Sequence, residues 1–456
     1  MHKLLLAGVS AIALALTGIS GASAQDLKFP KGEGAFSWQA LDDFAAAHKG
    51  LEGQKLTIWG PWREGGDKEQ FESVLAYFKD ATGIDVSYAS SENYEQQAVI
   101  DTAAGSAANI TILPQPGLLA DLASKGYLTP LGDDLAAKVK DEYAAGESWV
   151  SLGTYKGKDG NPAFFAVPYK ADLKSLVWYS PDNFAEKGYK VPETFEDLMA
   201  LSKQIIADGG TPWCIGLGSG GATGWPATDW IEDIMLRTQS PEDYDKWVTN
   251  ELKFNDPKVV AALDVFGEIA KDDKMVAGGA KAVGTTDFRD SPKGLFTVPP
   301  QCYLHHQASF IPSFFPEGTE LGTDASFFYF PPFADKNLGK PVLGAGTLVT
   351  ITKDSPTAKA FIDFVQNPIS NEIWMAQSGF LSPLKSANIE TYGNDTLKGE
   401  GQILLDATTF RFDGSDMMPG AIGAGAFWTG MVDFVNGKSS QDVADEIQKA
   451  WDSIKK

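Results

Sequence analysis

The stretch that decides the fold is KLTIWGPWREGGDKEQFESVLAYFKDATGIDVSY at residues 55–88. Residues 55–59 and 84–88 are short segments with the composition of β-strands. Between them, four apolar side chains recur at the spacing of one helix face: Phe71, Val74, Leu75 and Phe78. A strand, a helix and a second strand in this order predict a parallel sheet covered by helices on both faces.

The alternation of strands and helices continues along the chain, which predicts an α/β fold. Further strands are expected at residues 109–113, 175–179, 294–298, 327–330 and 346–352. Capping residues predict three helix starts, at Thr194 with Asp197, at Ser355 before Pro356, and at Ser439 with Asp442. A chain of 456 residues is longer than one hydrophobic core usually serves, so two domains are expected.

The amino terminus has the three parts of a secretory signal peptide. Residues 1–3 are a short basic start, residues 4–19 are apolar, and Ala22-Ser23-Ala24 offers small side chains for cleavage. We therefore expect residues 1–24 to be removed, and we disfavour the alternative of a membrane anchor because the apolar run is short and interrupted. With no cysteine just after the signal to carry a lipid, the mature protein is expected free in a periplasm-like space.

Charge and cysteine content narrow the possible partners and the compartment. A formal charge of −22 argues against nucleic acid and anionic lipid, which need a basic surface. The two cysteines, Cys214 and Cys302, are expected to form one disulfide in an oxidising compartment. The alternative is a pair of buried free thiols.

Common catalytic and cofactor motifs lack support in this sequence. His305 and His306 are adjacent, with no spaced partner to complete a metal site, so we expect surface or hydrogen-bonding roles for them. No G-x-S-x-G motif is present. Gly216, Gly218 and Gly221 spell G-x-G-x-x-G, but a proline follows where the phosphate-binding helix should run, which favours a flexible loop. We therefore expect no catalytic residue, no cofactor and no metal.

Tryptophans beside turns and polar side chains are the sequence's most unusual feature. Sugar rings stack on indole while their hydroxyls pair with carboxylates, amides and arginine. Four of the 12 tryptophans stand in such surroundings: Trp62, Trp225, Trp230 and Trp428. For any single tryptophan the alternative is core packing. Trp62, Gln115 and Tyr169 also follow predicted strand ends, where open α/β sheets bind ligands.

At these residues the chain resembles the periplasmic solute-binding proteins of sugar importers, of the maltose-binding-like branch and especially the α-glucoside-binding proteins. The segments that carry the resemblance span nearly all of the mature chain, at residues 55–59, 82–86, 126–131, 167–169, 175–179, 379–383 and 426–428. The resemblance implies two lobes, each a sheet flanked by helices, joined by three hinge crossovers. It divides the chain into a first lobe of residues 25–170 plus 335–384 and a second lobe of residues 171–334 plus 385–456.

The resemblance also implies which residues bind the ligand. The match places Arg63 and Glu64 in the first strand-end loop and Gln115 in the third. Asp172 falls where the maltose-binding branch pairs an acidic residue with sugar hydroxyls, and Trp428 falls on its principal stacking tryptophan. Further expected ligand contacts are Tyr169 at the first crossover, Trp225 in an aromatic loop, Asp229 and Trp230 beside it, and Phe380 near the third crossover.

The function implied is capture of a short α-linked glucoside and its delivery to membrane permease subunits, by a monomer that carries out no catalysis. Two loops depart from the family pattern, at residues 216–224 and 299–303, and leave the ligand's length and linkage open. One alternative is a secreted glycoside hydrolase with Glu64 and Asp172 as paired carboxylates. The other is the same fold binding a polyol or an oligosaccharide.

Overall fold

The computed structural model describes residues 27–143, 146–377, 379–406 and 409–454. The predicted signal peptide, residues 1–24, lies outside these ranges. Within them, no helix combines the length and the apolar character needed to cross a lipid bilayer.

The element bounds are as follows. The strands are β1 Lys55–Trp59, β2 Asp85–Ala89, β3 Ile110–Leu113, β4 Thr154–Lys156, β5 Pro162–Phe164, β6 Ala166–Leu173, β7 Leu176–Tyr179, β8 His305–His306, β9 Ser326–Tyr329, β10 Pro341–Ile351 and β11 Thr409–Phe412. The α-helices are α1 Trp38–Ala47, α2 Gly66–Thr82, α3 Tyr94–Ala104, α4 Pro116–Ser124, α5 Asp133–Glu142, α6 Gly146–Gly153, α7 Pro181–Lys187, α8 Phe195–Ala207, α9 Trp225–Thr238, α10 Pro241–Val248, α11 Pro257–Ala270, α12 Ala280–Val283, α13 Pro356–Val365, α14 Pro368–Met375, α15 Asp395–Asp406, α16 Gly414–Met417, α17 Trp428–Val435 and α18 Ser440–Ser453.

The large sheet has the strand order β11-β10-β3-β1-β2, with β6 paired to β10. β1 is parallel to both β2 and β3, which confirms the parallel start predicted from residues 55–88. β10 runs antiparallel to β3 and β6, so the complete sheet is mixed. All residues of β6 and of β10 are buried.

Helix α2 forms where the sequence predicts it and begins at the edge of the sheet. Its apolar face is buried, including Phe71, Val74 and Phe78. Asp67 and Glu69 in the first turn complement the positive end of the helix dipole. Gly83 ends the helix with φ of 67°, a left-handed conformation that glycine adopts at little steric cost.

A smaller sheet, β8-β7-β9, belongs to the second lobe. All three predicted helix starts are confirmed, because Thr194, Ser355 and Ser439 each accept a hydrogen bond from a backbone amide in the first turn. The buried apolar residues form two clusters. One surrounds the large sheet and the other surrounds α9 and α11.

The predicted strand at residues 294–298 is wrong. Residues Ser291–Phe296 form a 3₁₀-helix, and Val298 beyond it is fully exposed. Pro299 and Pro300 cannot donate to a strand ladder, and Gly294 instead packs against the Cys302 sulfur. The surface alternative for His305 and His306 is also wrong, because both lie buried in β8.

Three crossovers join the lobes, as the fold class requires. β6 leads into β7, β9 leads into β10, and near Leu381 the chain forms a bridge to Ala171 of β6. Just past the predicted lobe boundary at residue 384, the Asn388 side-chain amide donates to the carbonyl of Ala35, and the Asn388 backbone amide donates to the Glu372 carboxylate. The chain therefore stays in contact with the first lobe for several residues beyond that boundary.

Candidate ligand-binding cleft

A cavity of about 180 Å³ lies where the strand ends of the first lobe face the loops of the second. Its lining combines aromatic rings with charged side chains of both signs. The lining residues are Pro61, Trp62, Arg63, Glu64, Asp67, Glu95, Pro114, Gln115, Lys170, Asp172, Lys174, Ser219, Ala222, Trp225, Phe288, Arg289, Phe310, Phe314, Ala345, Gly346, Thr347, Asp413, Ser415, Asp416 and Trp428.

Seven of the eleven residues predicted to bind ligand are brought together in this lining: Trp62, Arg63, Glu64, Gln115, Asp172, Trp225 and Trp428. They come from both lobes and from the loop after β1, the cap of α4, the crossover strand β6 and the starts of α9 and α17. Trp62 and Gln115, which follow the parallel strands β1 and β3, therefore meet at one cavity, as the ends of parallel strands do.

The other four predicted residues, Tyr169, Asp229, Trp230 and Phe380, do not line the cavity. Trp230 packs against Trp213, Phe266, His306 and Phe330, because α9 is buried along nearly its whole length. Tyr169 donates from its hydroxyl to the carbonyl of Ser370 at 2.8 Å, and its ring contacts Phe380. Asp229 is ion-paired with Lys174 at 2.8 Å. All four are buried in packing next to the cleft.

The first-lobe wall rests on the ends of β1 and β3. Trp62 is largely buried, with its ring centroid 4.5 Å from that of Phe71, so it is part of the core as well as of the wall. Arg63 bonds both Glu64 and Glu92, the latter at 3.0 Å. Gln115 caps α4 and is 5% exposed.

The second-lobe wall is made from loops and helix starts. A π-helical turn, Ile422–Phe427, leads directly into Trp428. The backbone of Gly224 lies so close to Trp428 that a Cβ there would collide with the Trp428 carbonyl oxygen. Only glycine therefore lets the segment before α9 pack on the segment before α17. The Trp225 ring beside them lies 5.2 Å from the Lys174 ammonium.

Two buried lysines, which the sequence reasoning missed, lie within the crossover strand β6 and just after it. Lys170 pairs with Asp172 at 2.9 Å, and Lys174 pairs with both Asp229 and Asp413. Residues 170, 172 and 174 point to one side of an extended chain. Alternating charges in an otherwise apolar buried strand are the signal that could have found them, since such charges are rarely buried without partners.

Burial controls the ionisation of the acidic groups. Burial raises the pKa of Asp67 from 3.8 to about 6, against the opposing effect of Lys170. Burial also raises the pKa values of Glu95 and Asp416. In Asp413 burial is the largest single influence, but the Lys174 ammonium and hydrogen bonds from neighbouring groups together lower the pKa.

Three carboxylates near Lys174 could hold a metal ion by distance alone. Oxygens of Asp229, Glu232 and Asp413 lie within 4.8 Å of one another. Burial raises the pKa values of Asp229 and Glu232, which favours their protonated forms. Lys174 already supplies a cation in contact with Asp229 and Asp413, so an ammonium balances part of the cluster's negative charge.

Asp172 Oδ1 in the cavity wall is contacted by the Lys170 ammonium, whereas four other buried polar atoms of this wall have no hydrogen-bond partner among the described residues. They are Asp67 Oδ1 and Gln115 Oε1, which accept, and Arg289 Nε and Trp428 Nε1, which donate. A buried polar atom without a partner costs free energy, so such atoms mark places where a ligand completes the bonding. Donors and acceptors beside indole rings suit a ligand with hydroxyl groups and apolar ring faces.

The predicted disulfide is present between Cys214 and Cys302, with a Cα–Cα distance of 5.4 Å. The segment with the G-x-G-x-x-G spacing is a loop, in which Gly218 pairs with the backbone of Thr286 and Phe288. The flexibility predicted for it stays a prediction.

Two α/β lobes joined by buried crossover strands, with a polar and aromatic cleft between them, define a solute-binding protein. The chain belongs to the family of bacterial extracellular solute-binding proteins, whose sequence model matches residues 64–372.

Two relatives match over most of the chain. The chain is 64% identical, over all of both proteins, to the alpha-glucosides-binding periplasmic protein AglE of Rhizobium meliloti (strain 1021). It is 41% identical to the osmoprotective compounds-binding protein GgtB of Synechocystis sp. (strain ATCC 27184 / PCC 6803 / Kazusa), over 85% of this chain and 90% of the relative.

Solved structures share the fold at low identity. The bacterial solute receptor AcbH, described as having a substrate preference for β-D-galactopyranose, superposes with a TM-score of 0.76 at 19% identity, covering 88% of this chain and 99% of that one. A sugar transporter protein from Arthrobacter chlorophenolicus A6 with bound laminaribiose gives a TM-score of 0.69 at 16% identity, covering 88% and 100%. These likenesses establish the two-lobed architecture.

Proposed function

We propose that this protein captures a short α-linked glucoside, such as trehalose, sucrose or maltose, in the cleft between its lobes. The observation that carries the proposal is the set of four unpartnered buried atoms, two acceptors and two donors, beside the rings of Trp225 and Trp428. Sugar hydroxyls both donate and accept, so one ligand can satisfy all four. The name of the relative that is 64% identical points to the same ligand class.

We further propose delivery of the bound sugar to the membrane subunits of an ABC importer by a monomer in the periplasm. Closure of the lobes around the ligand would create the surface that those subunits recognise. Residues 1–24 would direct export and then be removed. Sequencing the amino terminus of the exported protein tests this, with a start at Gln25 expected.

Binding without catalysis fits the state of the two carboxylates that a hydrolase would use. Asp172 is ion-paired with Lys170, and Glu64 is bonded to Arg63 and half exposed to solvent. Both carboxylates are already paired with cationic side chains rather than set apart as an acid and a nucleophile. Prolonged incubation with each α-glucoside should release no glucose, and steady release would favour the hydrolase.

A small osmoprotective compound is a second candidate ligand, because a relative at 41% identity is named for binding such compounds. A thermal-shift screen separates the candidates, since a ligand that binds only the folded state raises the apparent melting temperature by mass action. We expect shifts with trehalose, sucrose or maltose. If only polyols raise the melting temperature, the ligand is an osmoprotective compound rather than an α-glucoside. If no compound raises it, both candidate ligands are contradicted.

A further inference from the structure

The glycine loop, residues 216–221, is paired along its backbone with a second loop that carries Arg289. The Gly218 amide donates to the Thr286 carbonyl at 2.9 Å, and the Phe288 amide donates to the Gly218 carbonyl at 3.0 Å. A Cβ at Gly216 would lie 2.7 Å from the Thr286 oxygen, closer than real side chains come. The glycine therefore lets the two backbones pair at this distance.

This backbone pairing fixes the position of the Arg289 side chain. Its guanidinium lies over the Phe288 ring at 4.2 Å and bonds the Asp287 carboxylate at 3.3 Å through Nη1. These contacts leave Nε buried, unpartnered and in the cavity wall. Glu64 of the first lobe lies 3.9 Å away, which is too far for a hydrogen bond but close enough for attraction between charges.

The other end of the glycine loop meets the first lobe. The Gly221 amide donates to the Glu92 carbonyl at 3.0 Å, and a Cβ there would lie 2.5 Å from Asn93 Oδ1. Glu92 in turn receives a bond from Arg63 in the first cleft wall. One loop of the second lobe therefore both positions Arg289 and contacts the opposite lobe.

We propose that Arg289 is a specificity-determining residue, whose Nε donates a hydrogen bond to an oxygen of the bound glucoside when the glycine loop meets the first lobe. This rests on the proposed function. A guanidinium has donors only, so it selects an acceptor, here a hydroxyl oxygen of the sugar. Its planar shape is held by Phe288 below and Asp287 beside it, which fixes the direction of that bond.

Calorimetric titration of the full mature protein with trehalose, sucrose and maltose tests the proposal. Arg289→Gln should weaken binding of the preferred sugar by roughly 10- to 100-fold, as expected when a hydrogen bond to a charged group is lost. Arg289→Lys should lose affinity as well, because an ammonium lacks the fixed planar geometry. The matched control is Arg411→Gln, which removes a surface arginine bonded to Asp245 away from the cavity and should bind like the wild type.

A role in folding alone is excluded with monodeoxy analogues of the preferred sugar. One of these analogues should bind the wild type more weakly than the parent sugar does. The same analogue should bind Arg289→Gln at least as tightly as the parent sugar does. Equal loss for every analogue, or wild-type affinity in Arg289→Gln, would overturn the role of Arg289 while leaving the proposed function intact. A wild-type protein that binds none of the three sugars would overturn the proposed function and this role with it.

Discussion

The two walls of the cleft are built by different means. The first-lobe wall stands on hydrogen-bonded strands, because Trp62 and Gln115 follow β1 and β3 directly. The second-lobe wall consists of loops and helix starts around Trp225, Arg289 and Trp428. A sheet fixes its strand ends through the hydrogen bonds between neighbouring strands. A loop must instead be fixed by side chains, covalent links or close backbone contacts.

The second-lobe wall contains all three of these kinds of contact. The Cys214–Cys302 disulfide ties the start of the glycine loop to the segment after the 3₁₀-helix. Lys174 joins α9 to the segment before α16 through Asp229 and Asp413. This difference between the walls leads to two kinds of prediction. Removing a contact that holds the second-lobe wall together should disturb binding through the fold. Removing a side chain that contacts the ligand should weaken binding directly.

The largest expected effect comes from removing the disulfide of the second-lobe wall. Replacing Cys214 and Cys302 together by alanine should lower the free energy of unfolding by about 2 to 5 kcal/mol, because the link closes a long loop in the unfolded chain. Urea denaturation of oxidised wild type and the double variant measures this. Sugar affinity should change less than stability does. Unchanged stability would mean that the loops of this wall are held without the disulfide.

The second prediction concerns Trp428. Trp428→Ala should weaken sugar binding by about 2 to 4 kcal/mol, because it removes an indole ring that lines the cavity. Calorimetry gives the affinity, and small-angle scattering should show that the variant needs more sugar to reach the compact state. The matched control is Trp451→Ala on α18, outside the cavity lining, which should bind normally. Wild-type affinity in Trp428→Ala would make this tryptophan a core residue only.

The third prediction is a pH dependence that arises in the first wall. The Asp67 pKa is raised to about 6, so the protonated acid is the form that folding favours. The resulting stability is complete below the ordinary value of 3.8 and is lost as the pH rises through about 6. Asp67→Asn keeps a neutral side chain at every pH, so relative to wild type it should gain about 2 to 3 kcal/mol on going from about pH 4 to above pH 7. Urea denaturation at both pH values measures the gain, and a constant difference would contradict it.

The smallest expected effect lies at the hinge between the walls. Asp172→Asn should weaken sugar binding by about 1 to 2 kcal/mol, since a carboxylate accepts stronger hydrogen bonds than an amide. It should also lower stability, because Lys170 loses its ion-pair partner. Asp182→Asn, at an exposed position on α7, is the control for both measurements. Full affinity in Asp172→Asn would place the carboxylate in the hinge alone.

The first wall could be predicted from the sequence because periodicity locates strands, and strand ends of a parallel sheet converge. Trp62 and Gln115 were placed at strand ends in this way and do line the cavity, whereas Arg63 was expected from the family resemblance. The second wall could be predicted only in part. Arg289 and Asp413 reach the cavity through loops whose paths depend on distant contacts that no local pattern records.

The errors have the same physical origin. Residues 294–298 have strand composition, but two following prolines and the contact of Gly294 with the disulfide leave no partner strand. Trp230 was expected at a ligand because it stands beside Asp229, yet α9 is surrounded by other elements and buries it. Composition indicates what a side chain can do, whereas the packing of neighbouring elements decides which face remains open.

Strand β10 has a consequence for how the molecule unfolds. Its 11 buried residues pair with β11, β6 and β3 in turn, and its side chains enter both apolar clusters, Leu343 in one and Leu348 in the other. Unfolding either lobe would therefore expose part of a strand that the other lobe needs. The two lobes are accordingly expected to melt as one cooperative unit, with a single calorimetric transition despite their separate cores.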